Sequence, residues 1–526
     1  MTTSFFNPRR ALISVSDKRD LVLLAAKLHQ QNIELVATGK TATLLQEHGF
    51  PITKVEHYTG FPELLDGRVK TLHPAIHAGL LANGTDDEKA LRPFAIRPFD
   101  LLIVNLYPFE DMIRQADCRL QDALDHIDIG GPAMIRAAAK NHANIAVVVT
   151  PDDYPTLIQY LDAKQKPKNW AFTLAKKAFA HTARYDAIIA NYLNRFNDEE
   201  GKFATFPDNF IAQHKKQNDL RYGENPQQQA ALYVNTPPMI NSLAHALCLQ
   251  GKPLSYNNLL DADAAWNCLK SFPDYEQVCV IVKHGNPCGI AARKTQVEAY
   301  ERAYESDSVS SYGGILAFNR CLQADTVKTM LARQFIEVII APDTSKEAQV
   351  ILAKKETIRV LITGDSKPFA LPQIDVRSID GGLLVQERDE WSIHAEQFKT
   401  VTTRKPNPQQ MRDLLFAWRA VKHVKSNAIV FAKEEATIGI GAGQTSRIMS
   451  TRIGLWQAES AGFSTHQAVM ASDAFIPFAD SIHMAAQHGI AAVIQPGGSI
   501  RDKDIIEAAN TLGMVMIFTS HRHFRH

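Results

Sequence analysis

From Arg10 to about Thr150, short apolar runs alternate with amphipathic stretches, and this pattern limits the possible folds more than any other feature. Apolar runs of this length predict buried strands, and the amphipathic stretches predict helices between them. Strands that alternate with helices form parallel sheets, whose ligands bind beyond the carboxyl ends of the strands. We therefore predict an α/β fold with strands at Ala11–Val15, Ile33–Ala37, Leu101–Leu106 and Ile145–Val149, and helices at Leu21–Leu28, Thr41–Glu47 and Ala133–Asn141.

A polar and charged segment, Asn197–Asn218, separates this region from a second, longer α/β region. Pro207 interrupts the segment, which has little apolar periodicity and follows a long helical stretch at Asn169–Leu193. We predict one domain over residues 1–198 and another over residues 199–526, and we find no fixed-period repeat. Strands of the second domain are predicted at Val278–Val282, Gly314–Phe318, Val338–Ile340, Ala428–Phe431, Ile438–Gly441, Ala492–Ile494 and Met514–Phe518.

The composition argues against several classes of protein. The 57 Lys and Arg residues balance 56 Asp and Glu residues, giving a net charge of +1, whereas a general nucleic-acid binder normally has a basic excess. The six cysteines include no C-x-x-C pair, which argues against a zinc ribbon and a secreted disulfide framework. Because the amino terminus lacks a signal-peptide core and no window approaches ~18 apolar residues, we expect a cytoplasmic protein without a membrane partner.

Three clusters of hydroxyl, glycine and cationic residues follow the first strands, at Ser14–Lys18, Thr38–Thr41 and Gly67–Pro74. Each alone could be an ordinary helix cap, and the second lacks the P-loop spacing because Glu34 stands where a glycine is required. Together they predict a site for a phosphorylated small ligand, and the third cluster is predicted to be extended. The candidate phosphate-binding residues are Ser14, Ser16, Lys18, Thr38, Gly39, Thr41, Arg68, Lys70 and Thr71.

An acid–base set, Tyr107, Asp128 and Lys140, follows in the same region. These side chains offer a proton donor, a base and an oxyanion stabiliser, which is what an acid–base reaction requires. Taken singly, a buried structural tyrosine and a surface lysine would explain two of them equally well.

In the second region, Lys283 and His284 directly follow an apolar strand, within the sequence VKHGNPCG. Histidine is the natural proton-transfer residue near neutral pH, although a loop histidine without a role would look the same. We interpret Cys288 as a structural cysteine rather than a nucleophile. The terminal HRHFRH lacks zinc-finger spacing and is interpreted as native sequence that completes a site through Arg522 and Phe524. Three further polar clusters lie at Leu220–Pro226, Lys425–Ala428 and Gly439–Arg447.

Taken together, these motifs resemble the family of bifunctional purine-biosynthesis enzymes that join a formyltransferase to an IMP cyclohydrolase. Motifs of that family occur in order along the whole chain: SVSDK, GRVKTLHP, NLYPF, IDIGG, AAKNH, LRYGENP, VKHGNPCG, KSNA, GIGAGQ, MASDAF and HFRH. The resemblance implies an amino-terminal methylglyoxal-synthase-like domain with a parallel sheet. It also implies a carboxyl-terminal transformylase region of cytidine-deaminase-like α/β subdomains, without the deaminase zinc.

The resemblance further implies two consecutive reactions. A formyl group would pass from 10-formyltetrahydrofolate, the folate cosubstrate, to the 5-amino group of aminoimidazole carboxamide ribonucleotide (AICAR). The product, FAICAR, would then close with loss of water to IMP. The resemblance implies no catalytic metal, and it implies a homodimer with transformylase sites at the interface.

The resemblance also implies a role for each candidate residue. His284 would deprotonate the AICAR amine, and Asn427 would hold the formyl oxygen. Lys283 would stabilise the oxyanion or protonate the departing folate nitrogen. The acid–base set would assist ring closure, and the phosphate-binding residues would hold the 5′-phosphate. Residues implied to line the nucleotide and folate sites are Arg221, Tyr222, Asn258, Gly313, Glu337, Arg447, Phe475, Pro477, Asp480, Arg522 and Phe524.

Three positions depart from the family's pattern: Lys40 replaces a glycine, Gln227 a histidine and Ala479 an arginine. Lys40 would either add a phosphate contact or crowd a backbone that needs positive φ. Gln227 puts an auxiliary proton relay in doubt, and Ala479 removes a cation near the folate tail. These departures leave one alternative, a catalytically degenerate protein that binds a phosphorylated nucleotide as a sensor or interaction module.

Overall fold

The computed structural model describes residues 3–115, 117–194, 206–236, 241–364, 374–389 and 398–526. Contacts divide the chain into two compact units, residues 1–213 and residues 214–526. The domain boundary predicted between residues 198 and 199 lies outside the described residues. Each unit is built on sheets with parallel strands, as the alternating sequence pattern predicts.

The amino-terminal unit contains a five-stranded parallel sheet and a short antiparallel ribbon. Its strands are β1 (Thr3–Phe5), β2 (Arg10–Ser14), β3 (Glu34–Ala37), β4 (Ile52–Lys54), β5 (Leu101–Val104), β6 (Ala146–Val148) and β7 (Gln165–Pro167). The sheet has the order β4-β3-β2-β5-β6, and β1 pairs with β7. Its helices are α1 (Leu21–Gln30), α2 (Gly39–Glu47), α3 (Val55–Thr59), α4 (Pro74–Leu81), α5 (Gly84–Leu91), α6 (Phe109–Ile113), α7 (Leu120–Asp125), α8 (Gly130–Lys140), α9 (Tyr154–Ala163) and α10 (Trp170–Leu193).

The strands and helices predicted for this unit are confirmed, with ends that shift by a few residues, while the helices α3 to α7 and α9, the ribbon strands β1 and β7, and the sheet strand β4 were missed. Its three residues are only half-buried, so they lack the apolar run that marks a central strand. One prediction was wrong: the third cluster is not extended. A 3₁₀ helix at Leu65–Gly67 precedes a turn in which the Leu72 N–H donates to the Val69 carbonyl at 3.1 Å. Gly67 has a φ of 86°, which is a left-handed backbone conformation, so the chain is not extended where it enters the cluster.

The carboxyl-terminal unit contains two six-stranded sheets that repeat one topology. The first is made of β10 (Leu247–Gln250), β11 (Gln277–Lys283), β12 (Asn286–Arg293), β13 (Gly314–Phe318), β14 (Ile336–Ala341) and β15 (Arg359–Ile362). The second is made of β18 (Lys399–Thr400), β19 (Ile429–Ala432), β20 (Thr437–Gly441), β21 (Val469–Ser472), β22 (Ala492–Gln495) and β23 (Val515–Phe518). Two antiparallel pairs lie outside them: β8 (Lys215–Leu220) with β9 (Ala230–Val234), and β16 (Ile374–Ile379) with β17 (Gly382–Glu387).

Strand order shows that the two sheets are equivalent. The first runs β10-β15-β14-β13-β11-β12 and the second β18-β23-β22-β21-β19-β20. Both follow the same succession of antiparallel, parallel, parallel, antiparallel and antiparallel pairs. The unit is therefore an internal duplication of structure, which no fixed-period repeat in the sequence revealed. The seven strands predicted for this unit are confirmed. Strands β10, β12, β15, β18 and β21 of the two sheets were missed, as were the pairs β8–β9 and β16–β17.

Helices take equivalent places in the two halves. They are α11 (Tyr256–Lys270), α12 (Gln296–Ser306), α13 (Ala324–Arg333) and α14 (Lys346–Leu352) in the first half, and α15 (Pro408–Val421), α16 (Arg447–Ser460), α17 (Asp480–Gln487) and α18 (Asp502–Thr511) in the second. Residues of α11 and α15 share one buried core with both sheets. Within it the rings of Phe272 and Phe416 lie 5.1 Å apart. This core fixes α11 and α15 against the two sheets.

Candidate active sites

Polar groups at the carboxyl end of β2 are tied to the neighbouring strand β5. Asn105, directly after β5, accepts through Oδ1 the backbone N–H groups of Ser16 at 2.6 Å and Asp17 at 2.8 Å. The Thr38 hydroxyl donates to Oγ of Ser14 at 3.0 Å. The structure therefore brings the first two predicted clusters together at one edge of the sheet. Sequence analysis did not assign Asn105 to the site, although it lies in the motif NLYPF.

Three lysines share this edge. Burial, followed by the charge of Lys40, lowers the pKa of Lys18, and the charge of Lys70 acts in the same direction. The Val15 carbonyl accepts hydrogen bonds from Nζ of Lys18 and from Oγ1 of Thr41, both at 3.2 Å. The three lysines create a local positive potential, which is why the charges of Lys40 and Lys70 lower the pKa of Lys18. Such a potential suits a phosphate.

Asp128 lies just before the start of α8, with its carboxylate turned onto the first turn. Its Oδ1 accepts the Gly131 N–H at 2.8 Å, and its own N–H donates to the Tyr185 hydroxyl at 2.9 Å. Burial raises the pKa of Asp128, although hydrogen bonds from the backbone of Gly131 and Tyr107 and the charge of Lys70 oppose the shift. A carboxyl group with a raised pKa beside a tyrosine and a lysine is typical of an acid–base site.

The other candidate residues of this unit are placed differently. Thr71 is buried against α8, where a Cβ on Gly130 would lie 2.3 Å from its Oγ1, so that only glycine allows this approach. Arg68 donates from Nε to the Leu65 carbonyl at 3.0 Å and folds back on the 3₁₀ helix. Lys140 is the exposed last residue of the 11-residue α8. At 1.5 Å per residue it lies roughly 15 Å from the first, so the structure does not bring Lys140 to Asp128 within one chain.

In the carboxyl-terminal unit, His284 lies in a tight hairpin turn. Lys283 pairs with Asn286 across the turn, so His284 and Gly285 are its two loop residues. Their φ angles are 52° and 73°, which is the backbone of a type I′ turn. The side chain of His284 is exposed. Sequence analysis placed His284 in a loop after a strand, whereas the chain turns back at once into β12.

Lys283 lies beside two other candidate residues. Its Nζ donates to the carbonyl of Tyr312, the residue before Gly313, at 2.8 Å. Gly313 has a φ of 76°, so a glycine is favoured at this corner. Glu337 lies on β14, next to β13, and its carboxylate pairs with Arg359 at 2.6 Å. These contacts place Lys283, Gly313 and Glu337 along one part of the first sheet.

Asn427 lies in a polar network of the second half. Arg447 donates from Nη2 to Oδ1 of Asn427 at 2.8 Å, and Nδ2 of Asn427 donates to the Gln444 carbonyl at 2.9 Å. Arg447 is only 8% exposed, and its Nη1 pairs with Asp473, which is 0% exposed. Sequence analysis singled out Arg447 but missed Asp473, for which the motif MASDAF was the available signal.

One hydrogen bond links the His284 turn to the second half. Oδ1 of Asn286 accepts the backbone N–H of Lys425 at 3.0 Å, and the Lys425 carbonyl accepts the N–H of Gly443 at 2.8 Å. The motifs VKHGNPCG, KSNA and GIGAGQ are therefore adjacent.

A cavity of about 350 Å³ beside the turn is lined by Lys283, His284, Asn286, Cys288, Asp307 and Gln457, among others. Burial raises the pKa of the Cys288 thiol to about 12, which supports a structural cysteine.

Three further candidate residues lie near the start of α11. The guanidinium of Arg221 lies 4.7 Å from the ring centroid of Tyr222. Asn258 donates its N–H to Oγ of Ser255 at 3.1 Å and accepts the Ser255 N–H in return, so its side chain forms a capping box. The side-chain amide of Asn257 donates to the Glu224 carbonyl at 3.2 Å and ties the segment of Arg221 to this helix start.

The remaining candidates lie near Asp473. Its backbone carbonyl accepts the N–H of His523 at 2.9 Å, which places Arg522 and Phe524 on either side of this bond. The guanidinium of Arg522 lies 4.4 Å from the ring centroid of Phe524. The other three follow β21 on the same stretch of chain: Phe475, Pro477 and Asp480.

The structure shows the surroundings of the three residues that depart from the family's pattern. The positive φ of the first turn, 29°, belongs to Gly39, while Lys40 lies within α2 and does not strain the backbone. Gln227 is exposed. Ala479 packs on the core of the second half, and the guanidinium of Arg501 lies 4.8 Å from the ring of the preceding Phe478. A cation is therefore present beside this segment even though residue 479 does not supply it.

The described residues thus contain two candidate sites: a cation-rich sheet edge in one α/β unit and a histidine–lysine turn in the duplicated second unit. A family model described as the AICARFT/IMPCHase bienzyme matches residues 138–457, and a model described as an MGS-like domain matches residues 20–133. The chain belongs to the AICARFT/IMPCHase bienzyme family, and it is a bifunctional enzyme with transformylase and cyclohydrolase activities. The two matching family models also confirm the predicted fold class.

A full-length relative agrees with this assignment. The bifunctional purine biosynthesis protein PurH of Xylella fastidiosa (strain M12) is 51% identical over 532 residues, which cover 100% of both chains. The crystal structure of ForH is 33% identical to this chain, covers 35% of it and 95% of its own length, and has a TM-score of 0.32. The degenerate nucleotide-binding alternative is not supported. Across the described ranges, no helix is long and apolar enough to span a membrane.

Proposed function

We propose that the amino-terminal unit carries the cyclohydrolase site and the carboxyl-terminal unit the transformylase site, with the boundary near residue 200. The link from the His284 turn through Asn286 to Lys425 supports this division most strongly. It joins a proton acceptor and a cation to the network of Asn427, an amide donor. Formyl transfer needs these groups because the weakly nucleophilic AICAR amine loses a proton while the formyl carbonyl becomes an oxyanion.

In the transformylase site, the imidazole of His284 takes the proton from the AICAR amine as nitrogen attacks the formyl carbon. Lys283 has three N–H donors, one of which is given to the Tyr312 carbonyl, so another is assigned to the oxyanion or the departing folate nitrogen. Asn427 has two N–H donors on its amide, and one is given to Gln444. We assign the second to the formyl oxygen.

In the cyclohydrolase site, the 5′-phosphate is held by Lys18, Lys40 and Lys70 at the carboxyl edge of the sheet. Asp128 and Tyr107 move the protons of ring closure. Because this step is intramolecular, positioning supplies much of the rate, and the demand on acid–base groups is lighter. The role implied for Lys140 remains a prediction, since α8 separates it from Asp128.

The formyl donor is a folate, and 10-formyltetrahydrofolate is the specific donor we propose. We further propose a cytoplasmic homodimer with its transformylase sites at the interface. The antiparallel pair β16–β17 supports a dimer, because Leu383 and Leu384 on it are 52% and 57% exposed. Light scattering is expected to give twice the chain mass of 58.5 kDa, and the chain mass alone would contradict the dimer.

Product analysis tests the assignment of His284. Purified enzyme supplied with AICAR and 10-formyltetrahydrofolate is expected to form IMP. The variant His284→Ala is expected to form FAICAR, and therefore IMP, from these substrates roughly 10²–10⁴-fold more slowly, the usual effect of losing a general base, yet to convert supplied FAICAR to IMP at the wild-type rate. Equal rates of formyl transfer in the variant and the wild type would contradict the proposal.

A further inference from the structure

The backbone of the His284 turn is held by a carboxylate from another element. Asp261, on α11, accepts the N–H of His284 through Oδ2 at 3.1 Å and the N–H of Gly285 through Oδ1 at 2.7 Å. Both oxygens are used on the two loop residues of the turn. Hydrogen bonds to an ionised carboxylate are stronger than those between neutral groups.

This support matters because His284 has an unfavourable backbone. Both loop residues of a type I′ turn need positive φ, and glycine or asparagine usually occupies the first position. A histidine with a φ of 52° is strained and persists where the surroundings determine it. The carboxylate of Asp261 favours this conformation, since it accepts hydrogen bonds from both N–H groups of the turn.

The second half contains an equivalent arrangement of a helix aspartate and a hairpin turn, but its turn has no histidine. Asp413 is the sixth residue of α15, as Asp261 is the sixth of α11, and its Oδ1 accepts the N–H of Glu435 at 2.8 Å. Glu434 and Glu435 form the turn between β19 and β20, and both have a φ of 53°. A helix aspartate that holds a left-handed hairpin turn is therefore a property of the fold, which the first half uses to present a proton acceptor.

We propose that Asp261 is a positioning residue for formyl transfer, whose carboxylate holds the left-handed turn that presents the His284 imidazole beside Lys283. The proposal rests on the proposed role of His284. Replacement of one carboxylate oxygen by an amide would place an N–H₂ against a backbone N–H. The turn would then lose one of its two hydrogen bonds, and the imidazole would move away from the productive position.

Steady-state kinetics of formyl transfer test this role. Asp261→Asn is expected to lower kcat by roughly 10- to 100-fold with little change in the KM for AICAR, because geometry for the chemical step is lost. Asp261→Glu, which keeps the charge and both acceptor oxygens, is expected to retain more of kcat. Cyclohydrolase activity on supplied FAICAR reports that the amino-terminal unit of each variant is intact.

Asp413→Asn is the matched control, because it makes the same chemical change at the equivalent position of the other half. It is expected to leave kcat for formyl transfer within about twofold of wild type. An equal loss of kcat in both variants would show a general effect on the unit and would overturn the proposal. So would a wild-type kcat in Asp261→Asn.

A double variant separates positioning from structure. If Asp261 acts through His284, adding Asp261→Asn to His284→Ala causes no further loss of kcat. Independent, multiplied losses would overturn the positioning role. Should His284→Ala alone leave formyl transfer unchanged, the proposed function itself would fail, and this outcome is distinct from a failure confined to Asp261.

Discussion

The guanidinium of Arg447 donates from Nη2 to Oδ1 of Asn427 at 2.8 Å, and this bond orients the Asn427 amide. Nδ2 then faces the Gln444 carbonyl, to which it donates at 2.9 Å. Because oxygen and nitrogen each meet a partner of the right kind, the amide has one satisfactory orientation. Arg447 therefore acts on the proposed formyl-binding donor as well as on Asp473.

Asn427→Asp is expected to lower formyl transfer by roughly 10²–10³-fold, the usual effect of removing one oxyanion donor. The new carboxylate oxygen would face the Gln444 carbonyl and could donate nothing to the formyl oxygen. Closure of supplied FAICAR is expected to stay at the wild-type rate. Formyl transfer at the wild-type rate would rule out the role assigned to this amide.

Arg447→Met is expected to destabilise the carboxyl-terminal unit by about 3–5 kcal/mol, because it leaves the carboxylate of Asp473 buried without its cation. Urea unfolding followed by circular dichroism measures the change. The double variant Arg447→Met with Asp473→Leu is expected to recover part of the loss, since no charge is then left unpaired. A single variant as stable as wild type would contradict the account of this pair.

Asp128→Asn is expected to lower ring closure by roughly 10²–10⁴-fold while formyl transfer is retained. Burial raises the pKa of Asp128 above its ordinary value of 3.8, so the ionised base is lost at a higher pH than in water. As the pH falls through that raised pKa, the cyclohydrolase rate of the wild type is expected to decline. Persistence of the same acid limb in the variant would assign it to another group.

Lys40→Gly is expected to weaken nucleotide binding to the amino-terminal unit about two- to fivefold, the size of an exposed charge contact. Removing this charge also raises the pKa of Lys18, which Lys40 now lowers. Affinity for IMP measured at several salt concentrations should show a smaller salt dependence. Lys89→Ala is the control, because Lys89 lies away from the candidate phosphate site. The adjacent Glu88 pairs with Arg9, which lies at the end of β2 opposite that site. Equal effects from both lysines would show that only net charge matters.

Local patterns in the sequence predicted the α/β fold class and many of the buried strands. The apolar run of β13 gave both of its ends, Gly314 and Phe318, because a buried strand needs an uninterrupted apolar stretch. The strand β12 was missed because its glycine, proline and cysteine residues are typical of a loop, although it pairs along its length with β11. The duplication was also missed, since two sequences with the same fold need share no residue pattern.

Sequence motifs marked the candidate residues His284 and Arg447, whose roles stay predictions. Residues that act through distant contacts were not marked. Asp261 lies in the middle of a helix, where an acidic side chain normally faces water, and its partner turn is 23 residues away in the chain. Only the folded structure shows that this carboxylate accepts the N–H groups of the His284 turn.

A mixing experiment tests the central claim, that each unit carries one complete activity. His284→Ala and Asp128→Asn proteins are supplied with AICAR and 10-formyltetrahydrofolate, separately and together, and IMP is measured. Neither variant alone is expected to form IMP at an appreciable rate, and Asp128→Asn is expected to accumulate FAICAR. The mixture is expected to form IMP, because FAICAR made by one protein is closed by the other. A mixture that forms no IMP would contradict the division of the two activities between the two units.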